Sequence, residues 1–465
     1  MLEKLYIYCT GDLHSDFTYW PQTITYINKE KQKREREGAS YWLIDIGDHI
    51  DRVNPVSEAF MGKGNVSLLN KANYDIVTIG NNEGITFSHE DLVNLYEKAT
   101  FDVVCSNLKS EMNETPDWLK PSIQVKSKSG VKIGYIGLTA PFKPFYERLH
   151  WEVASPFQAL EKYMPRLKDE VDIIVVLSHL GYDDDVILAE SFPDVDVIIG
   201  GHTHHLLRYG ETINHTVLTA TGKGGSHVGE VILTWDHQEK KLVGKEAYVK
   251  DVTHLERDEQ TVIKLRQLEE EANDILSEQV TTIPHDLRVH WFQETEIIKA
   301  LTTTLKKWTN ADVAMLNAGM LLEPLQAGPI TYGQIHRMCP HPINPCLVEV
   351  TGSALLEIVR AAESSQVKNL QLEGFGFRGK LLGKMIFSGI DIEYVSQRTE
   401  DMFIKDILHH GASIDKNKTY KLATADTFTF GAILPGVAKA SVKNYFLPEF
   451  LRDILVHTLK EKYPS

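Results

Sequence analysis

Leu5-Tyr6-Ile7-Tyr8-Cys9-Thr10-Gly11-Asp12-Leu13-His14 reads as an apolar strand that ends abruptly in a glycine, a carboxylate and an imidazole. The same grammar recurs down the chain. Tyr41 to Ile46 runs into Gly47-Asp48-His49-Ile50-Asp51-Arg52, and Asp75 to Ile79 into Gly80-Asn81-Asn82-Glu83. Asp172 to Leu177 runs into Ser178-His179-Leu180-Gly181, and Val195 to Ile199 into Gly200-Gly201-His202-Thr203-His204-His205. Helical stretches separate these runs, among them Tyr19 to Glu37, stopped by Gly38, and Pro156 to Glu170. Apolar strands alternating with amphipathic helices predict an α/β fold, a mixed or parallel sheet covered by helices. In such sheets ligands bind beyond the carboxyl ends of the strands, so the five tails are expected to converge. Val131 to Thr139, Val228 to Trp235 and Leu242 to Val249 read as further strands, which predicts a doubled sheet.

Beyond them the pattern changes. Leu255 to Gln279 is a heavily charged helical stretch ended by Thr281-Thr282-Ile283-Pro284, the best candidate for a linker. Thr295 to Trp308 and Ser353 to Glu363 then read as helices, Val313 to Leu316, Cys346 to Val350 and Met385 to Tyr394 as strands, and a last helix follows Pro448. The expected division is a catalytic domain over 1–254, a linker helix over 255–285 and a smaller α+β domain over 286–465.

The chain of 465 residues carries 49 Lys and Arg against 64 Asp and Glu, a net charge of −15. That sign argues against nucleic acid and anionic membranes as partners, and any anion handled here needs a local positive centre. No apolar run reaches the roughly 18 residues of a membrane-spanning helix, and Met1-Leu2-Glu3-Lys4-Leu5-Tyr6-Ile7 lacks the pattern of a signal peptide, so the expected location is cytoplasmic. Cys9, Cys105, Cys339 and Cys346 are too scattered for a disulfide framework and read as buried thiols. Nothing in the sequence sets an oligomeric state.

Asp12 and His14 stand two apart at a strand end, where extended backbone would aim both side chains to one side. Asp48, Asn81 and His179 follow three other strands, and His202 with His204 repeats the two-residue step. Oxygen and nitrogen donors without a cysteine suit Mn, Zn, Fe or Co, and the imidazoles argue against a pure Mg or Ca site. The set is too large for one ion unless an oxygen bridges two, and Asp48 is the natural bridge. Two such ions clamp the oxygens of an in-line displacement at phosphorus and acidify a bridging water.

Taken together, Asp12-Leu13-His14, Gly47-Asp48-His49-Ile50-Asp51, Gly80-Asn81-Asn82-Glu83, His179 and Gly201-His202-Thr203-His204 resemble the five blocks of the calcineurin-like metallophosphoesterases. The longer layout, with Met315-Leu316-Asn317-Ala318-Gly319 in the second domain, resembles the 5'-nucleotidase group and most closely its bacterial cytoplasmic YunD-like branch. The resemblance implies a four-layer α/β/β/α sandwich followed by a smaller α+β domain. It also implies one ion held by Asp12, His14, Asp48 and His204, a second by Asp48, Asn81, His179 and His202, and hydrolysis of a small phosphate ester, a nucleotide first among them, by a hydroxide bridging both. A phosphodiesterase, a phosphatase for another ester, and a metal-binding scaffold without turnover are the alternatives.

Two departures bear on this. The family's third block usually carries a histidine where this chain has Asn82, and an amide cannot transfer a proton, so chemistry should slow by about 10²- to 10⁴-fold unless another acid enters or the leaving group needs little protonation. Asn82 is then expected to position an oxygen of the substrate. His89 is a weak substitute, with a helix start as the alternative reading. Relatives also grip phosphate with an arginine where this chain has Leu322, after Asn317 and Gly319. Arg337 is the best alternative, ahead of Arg360 and Arg378, against a plain surface role. Arg52 could point at phosphate or pair with Asp51. Phe375, Phe377, Phe428 and Phe430 are candidates for stacking a base, with core packing equally open. Gly222-Lys223-Gly224-Gly225 reads as a turn, and Asp183-Asp184-Asp185 as a solvated helix start.

Overall fold

Alternating side chains along the first strand, β1 (Leu2–Thr10), decide how the sheets pack. In the computed structural model, which describes residues 1–112, 115–372, 374, 376–396, 402–431 and 433–464, Leu5, Ile7 and Cys9 enter one core cluster while Tyr6 and Tyr8 face the other way. The chain divides into two compact units, Met1–Ala272 and Asn273–Ser465.

In the first unit, β1 pairs in parallel with β2 (Ser40–Asp45), which pairs with β3 (Ile76–Val77) and that with β4 (Asp102–Val104). The short β5 (Leu119–Lys120) closes one edge. A second sheet holds β6 (Ser122–Lys126), β7 (Lys132–Thr139), β8 (Ile173–His179), β9 (Val197–Gly200), β10 (Glu211–Ile213) and β11 (Thr216–Ala220), in the order β10-β11-β9-β8-β7-β6. The antiparallel pair β12 (His227–Asp236) and β13 (Lys241–Asp251) returns to complete the first sheet alongside β1. Ile7, Ile44 and Val231 of one sheet share a core with Tyr135, Val175, Leu177 and Ile199 of the other. The far face of the second sheet, including Ile136, Val176 and Ile198, packs on Leu160 and Leu167 of one helix and Leu188 of the next. On the far face of the first sheet lies α1 (Trp20–Glu37), with Pro21 in its first turn and Gly38 closing it at φ 70°. Helix, sheet, sheet and helix are thus the four layers, and β8, buried along its whole length, is the uninterrupted apolar run a doubly covered parallel strand requires.

The second unit has a five-stranded sheet, Met385–Ser388, Val313–Asn317, Thr419–Ala425, Pro345–Thr351 and Lys443–Tyr445 in spatial order, with helices Glu296–Trp308 and Gly352–Ala362 on it. Three sequence expectations are corrected. The run Asp75 to Ile79 is strand only over Ile76–Val77. Gln279–Ile283 does not merely end the charged helix but forms a strand paired with Gly328–Thr331. Met385 to Tyr394 is two strands in different sheets, because Gly389 turns the chain at φ 92° and a Cβ there would lie 2.3 Å from the Asp312 carbonyl. The charged helix itself, Glu259–Leu276, runs across the boundary between the two units.

Candidate metal centre

The loops after β1 and β2 are laced together by backbone hydrogen bonds: Asp12 N–H to Gly47 O at 2.9 Å, His14 N–H to Asp48 O at 2.8 Å and Ser15 N–H to His49 O at 3.0 Å. Glu83, buried after β3, ties in the third loop by accepting from the amides of Asp48, Ile50 and Gly80, each at 2.9 Å. Burial, reinforced by the nearby Asp48 charge, raises the Glu83 carboxyl to about 7. The last loop is fixed by the His202 N–H, 3.1 Å from both Asp12 oxygens. Glu83 was not read as functional in the sequence; its place three residues after Gly80, the position of a capping acid, is the signal that marks it.

These loops bring two groups of potential ligands together, Asp12 with His14 and His204, and Asp48 with His179 and His202. His14 and His204 meet Nε2 to Nε2 at 3.0 Å, and His204 Nε2 is 3.5 Å from Asp12 Oδ1. Asp48 lies between the groups, Oδ1 3.3 Å from His179 Nε2 and Oδ2 3.7 Å from His14 Nε2. The expected extended backbone at Asp12 and His14 is corrected: both have φ 50°, and of the six residues in the two groups only His179 has a negative φ. Left-handed backbone, sparsely populated by non-glycine residues, is what turns the side chains inward.

The donors fit a cation. His179 Nδ1 lies 2.7 Å from the Ile46 carbonyl and so carries the proton, leaving Nε2 as a buried lone pair without a hydrogen-bond partner. The Asn81 side-chain oxygen is likewise buried without a partner. Burial works against charge on His179, yet Asp48 and Asp12 outweigh it and raise its pKa, so the two carboxylates favour a positive charge at Nε2, a proton that an ion bound there would replace. Burial instead holds His202 down to about 4 and His204 to about 3, keeping both neutral and able to donate lone pairs.

Other sequence candidates lie elsewhere. The Asn82 amide has partners within the protein: Nδ2 is 3.0 Å from the Ile50 carbonyl and 3.0 Å from His14 Nδ1, while Oδ1 accepts from Asn81. It props the His14 ring, and its backbone N–H donates to Asp48 Oδ1 at 2.7 Å. Arg52 is buried and grips both Glu58 oxygens at 2.8 and 3.0 Å. His89 stacks on Trp151 and bonds Ser110. Asp185, expected in solvent, is buried and accepts from Ser178. Gly224 donates to the Asp12 carbonyl at 2.9 Å, so the glycine-rich turn braces the centre.

In the second unit, Asn317 is buried with its side-chain amide on Leu382 O and its side-chain oxygen without a hydrogen-bond partner, and Gly319 sits where a Cβ would be 1.9 Å from Leu381 O. Arg337 is exposed on a helix, 3.6 Å from Glu323. Phe377 is 2% exposed and stacks on His341, and Phe428 is fully buried, so both are core rather than free faces for a base. Phe430 is half-buried beside Tyr445, and Phe375 lies outside the described residues.

Comparison with known proteins matches residues 5–206 to the calcineurin-like phosphoesterase family and residues 277–433 to the 5'-nucleotidase C-terminal domain. The uncharacterized metallophosphoesterase YunD of Bacillus subtilis is 40% identical over 464 residues, 99% of this chain and 100% of the relative. A 5'-nucleotidase of Vibrio cholerae is 22% identical over 430 residues, 78% of this chain and 76% of its own. The solved NAD nucleotidase of Haemophilus influenzae superposes with a TM-score of 0.69 at 15% identity, covering 99% of this chain and 97% of that one, a likeness of fold.

Proposed function

The chain belongs to the calcineurin-like phosphoesterases that carry a 5'-nucleotidase C-terminal domain, metal-dependent hydrolases with a dinuclear divalent centre, and from that premise we propose that it cleaves nucleotide phosphate esters. The observation that carries the reading is the buried His179 Nε2, held 3.3 Å from Asp48 and 3.9 Å from Asp12. Asp12, His14, Asp48 and His204 would hold one ion, and Asp48, Asn81, His179 and His202 the other. The imidazole-rich, thiol-free set favours Mn, Zn, Fe or Co. Ions held there would supply Lewis acidity at the phosphoryl oxygens and acidify water for attack.

The chain's own residues do the rest. Asp48 would serve both ions, its carboxylate 3.3 Å from His179 and 3.7 Å from His14 and its backbone fixed by Glu83. The Ile46 carbonyl sets the His179 tautomer. Asn82 orients His14 and transfers no proton, which favours esters whose leaving group needs little protonation. The 5'-nucleotidase domain and the relative named for that activity support a nucleotide over other esters. Four buried cysteines without a disulfide support a reducing, cytoplasmic setting.

The test is a panel of nucleoside monophosphates and bis-aryl phosphates with Mn²⁺, Zn²⁺, Co²⁺ and Fe²⁺. Metal-dependent release of phosphate from nucleotides is the expected result. Turnover of the diester alone would replace the nucleotidase reading with a phosphodiesterase.

A further inference from the structure

His14 does more than face Asp12 and Asp48; it also lines a cavity of about 590 Å³ whose walls all come from the first unit. That volume lies inside the roughly 300–1,000 Å³ range of small-molecule sites. The segment leading into the charged helix and the helix itself present two guanidiniums to it, Arg257 and Arg266. Among the described residues neither has an ion pair or hydrogen bond. The carboxylates nearby make their hydrogen bonds to other groups and leave both guanidinium forks open. Asp16 Oδ1 accepts the Thr18 N–H at 3.1 Å, and Asp258, beside Arg257, is taken up by the amide and hydroxyl of Thr261 at 2.8 and 2.7 Å. Glu269, three residues after Arg266, lines the same cavity without pairing with it.

Asp16 and Glu269 balance the charge of the lining, so what the two guanidiniums offer beside a phosphate-handling centre is open, directional hydrogen-bond donors rather than a net positive field. A planar fork fits phosphate oxygens in pairs, which a lysine cannot match. Arg52 is spent on Glu58, and Leu322 offers no charge. We propose that Arg257 and Arg266 form an anion subsite of the catalytic unit, which takes a second phosphate carried by the substrate beside the one cleaved at the metal centre. The proposal rests on the phosphoesterase reading and deepens it: these arginines set preference for substrates with more than one phosphate. Free inorganic phosphate has the same chemistry, and the experiment separates the two sources.

The full-length chain and its R257Q/R266Q variant, both loaded with Mn²⁺, are compared on adenosine diphosphate and adenosine monophosphate. The ratio of kcat/KM for the diphosphate to that for the monophosphate should fall about tenfold or more in the variant, the scale of charge-assisted hydrogen bonds to phosphate. A ratio within twofold of wild type overturns the proposal. Calorimetric titration of the metal-free chain with inorganic pyrophosphate should show binding weakened about tenfold in R257Q/R266Q and partly restored in R257K/R266K. Equal pyrophosphate binding by wild type and variant, or inorganic phosphate binding as tightly as pyrophosphate, also overturns it. If wild type hydrolyses neither nucleotide, the nucleotidase reading falls, and the pyrophosphate titration still judges the subsite by itself.

Discussion

Asp48 lies between the two ligand groups, 3.3 Å from His179 and 3.7 Å from His14, while its neighbours hold its backbone, so it is the side chain whose loss should separate folding from chemistry. Asp48→Asn is expected to lower metal-dependent hydrolysis by about 10²- to 10³-fold and to reduce bound metal in elemental analysis, with little change in far-UV dichroism. Asn82 acts one step further out. Asn82→Ala frees the His14 ring from its 3.0 Å contact, and a partner of that kind is worth about 10- to 100-fold in metal affinity or rate. The activity should then half-saturate at a higher Mn²⁺ concentration, a shift that a substrate-contacting role would not produce. In the second unit, His341 accepts the Arg378 N–H on Nδ1 and donates from Nε2 to Met320 O, each at 2.9 Å, and burial holds its pKa at about 3. The folded value lies below the unfolded one of about 6.5. The neutral ring's contribution is therefore fully present above pH 6.5 and is lost as pH falls toward 3, by up to about 1.4 kcal/mol per pH unit. Urea unfolding between pH 7.5 and 4.5 should show this slope reduced in His341→Asn.

At the scale of elements, the strands were legible because burial on both faces writes itself as an unbroken apolar run, as at Ile173 to Leu177. The tails after them were legible as donors. Their geometry was not: nothing in the letters of Asp12 or His204 announces φ values of 50° and 58°, which come from lacing one loop to the next. The Arg52 partner Glu58 was hidden for a related reason, since it sits on the following short helix and is revealed only once that helix folds back. Phe377 and Phe428 were not legible as core residues because phenylalanine on a loop and phenylalanine in a core look alike until Phe428 is seen without exposure. Loop lacing also predicts a severe lesion. A Cβ on Gly80 would lie 2.1 Å from Asp48 Oδ1 and 2.3 Å from Asp48 N, and backbone cannot yield as a flexible side chain would. Gly80→Ala should remove detectable hydrolysis and cost about 1–3 kcal/mol in a denaturation series.

At the scale of the whole molecule, the two units divide the chemistry unequally: all seven proposed ligands lie within Met1–Ala272. Ions bound only by folded protein stabilise the part that holds them. Two thermal transitions are therefore expected in calorimetry, of which only one should rise with added Mn²⁺ and fall with chelator. A single transition insensitive to both would contradict ligand binding by the first unit. The left-handed backbone at five of the six clustered residues has one more consequence, for how this chain can diversify. Asparagine, aspartate, histidine and glycine tolerate that conformation, whereas β-branched replacements do not. The alphabet open to drift at these positions is thus narrowed by local sterics before selection on catalysis begins, and a saturation library there should recover folded members from that short list even when no ion is supplied.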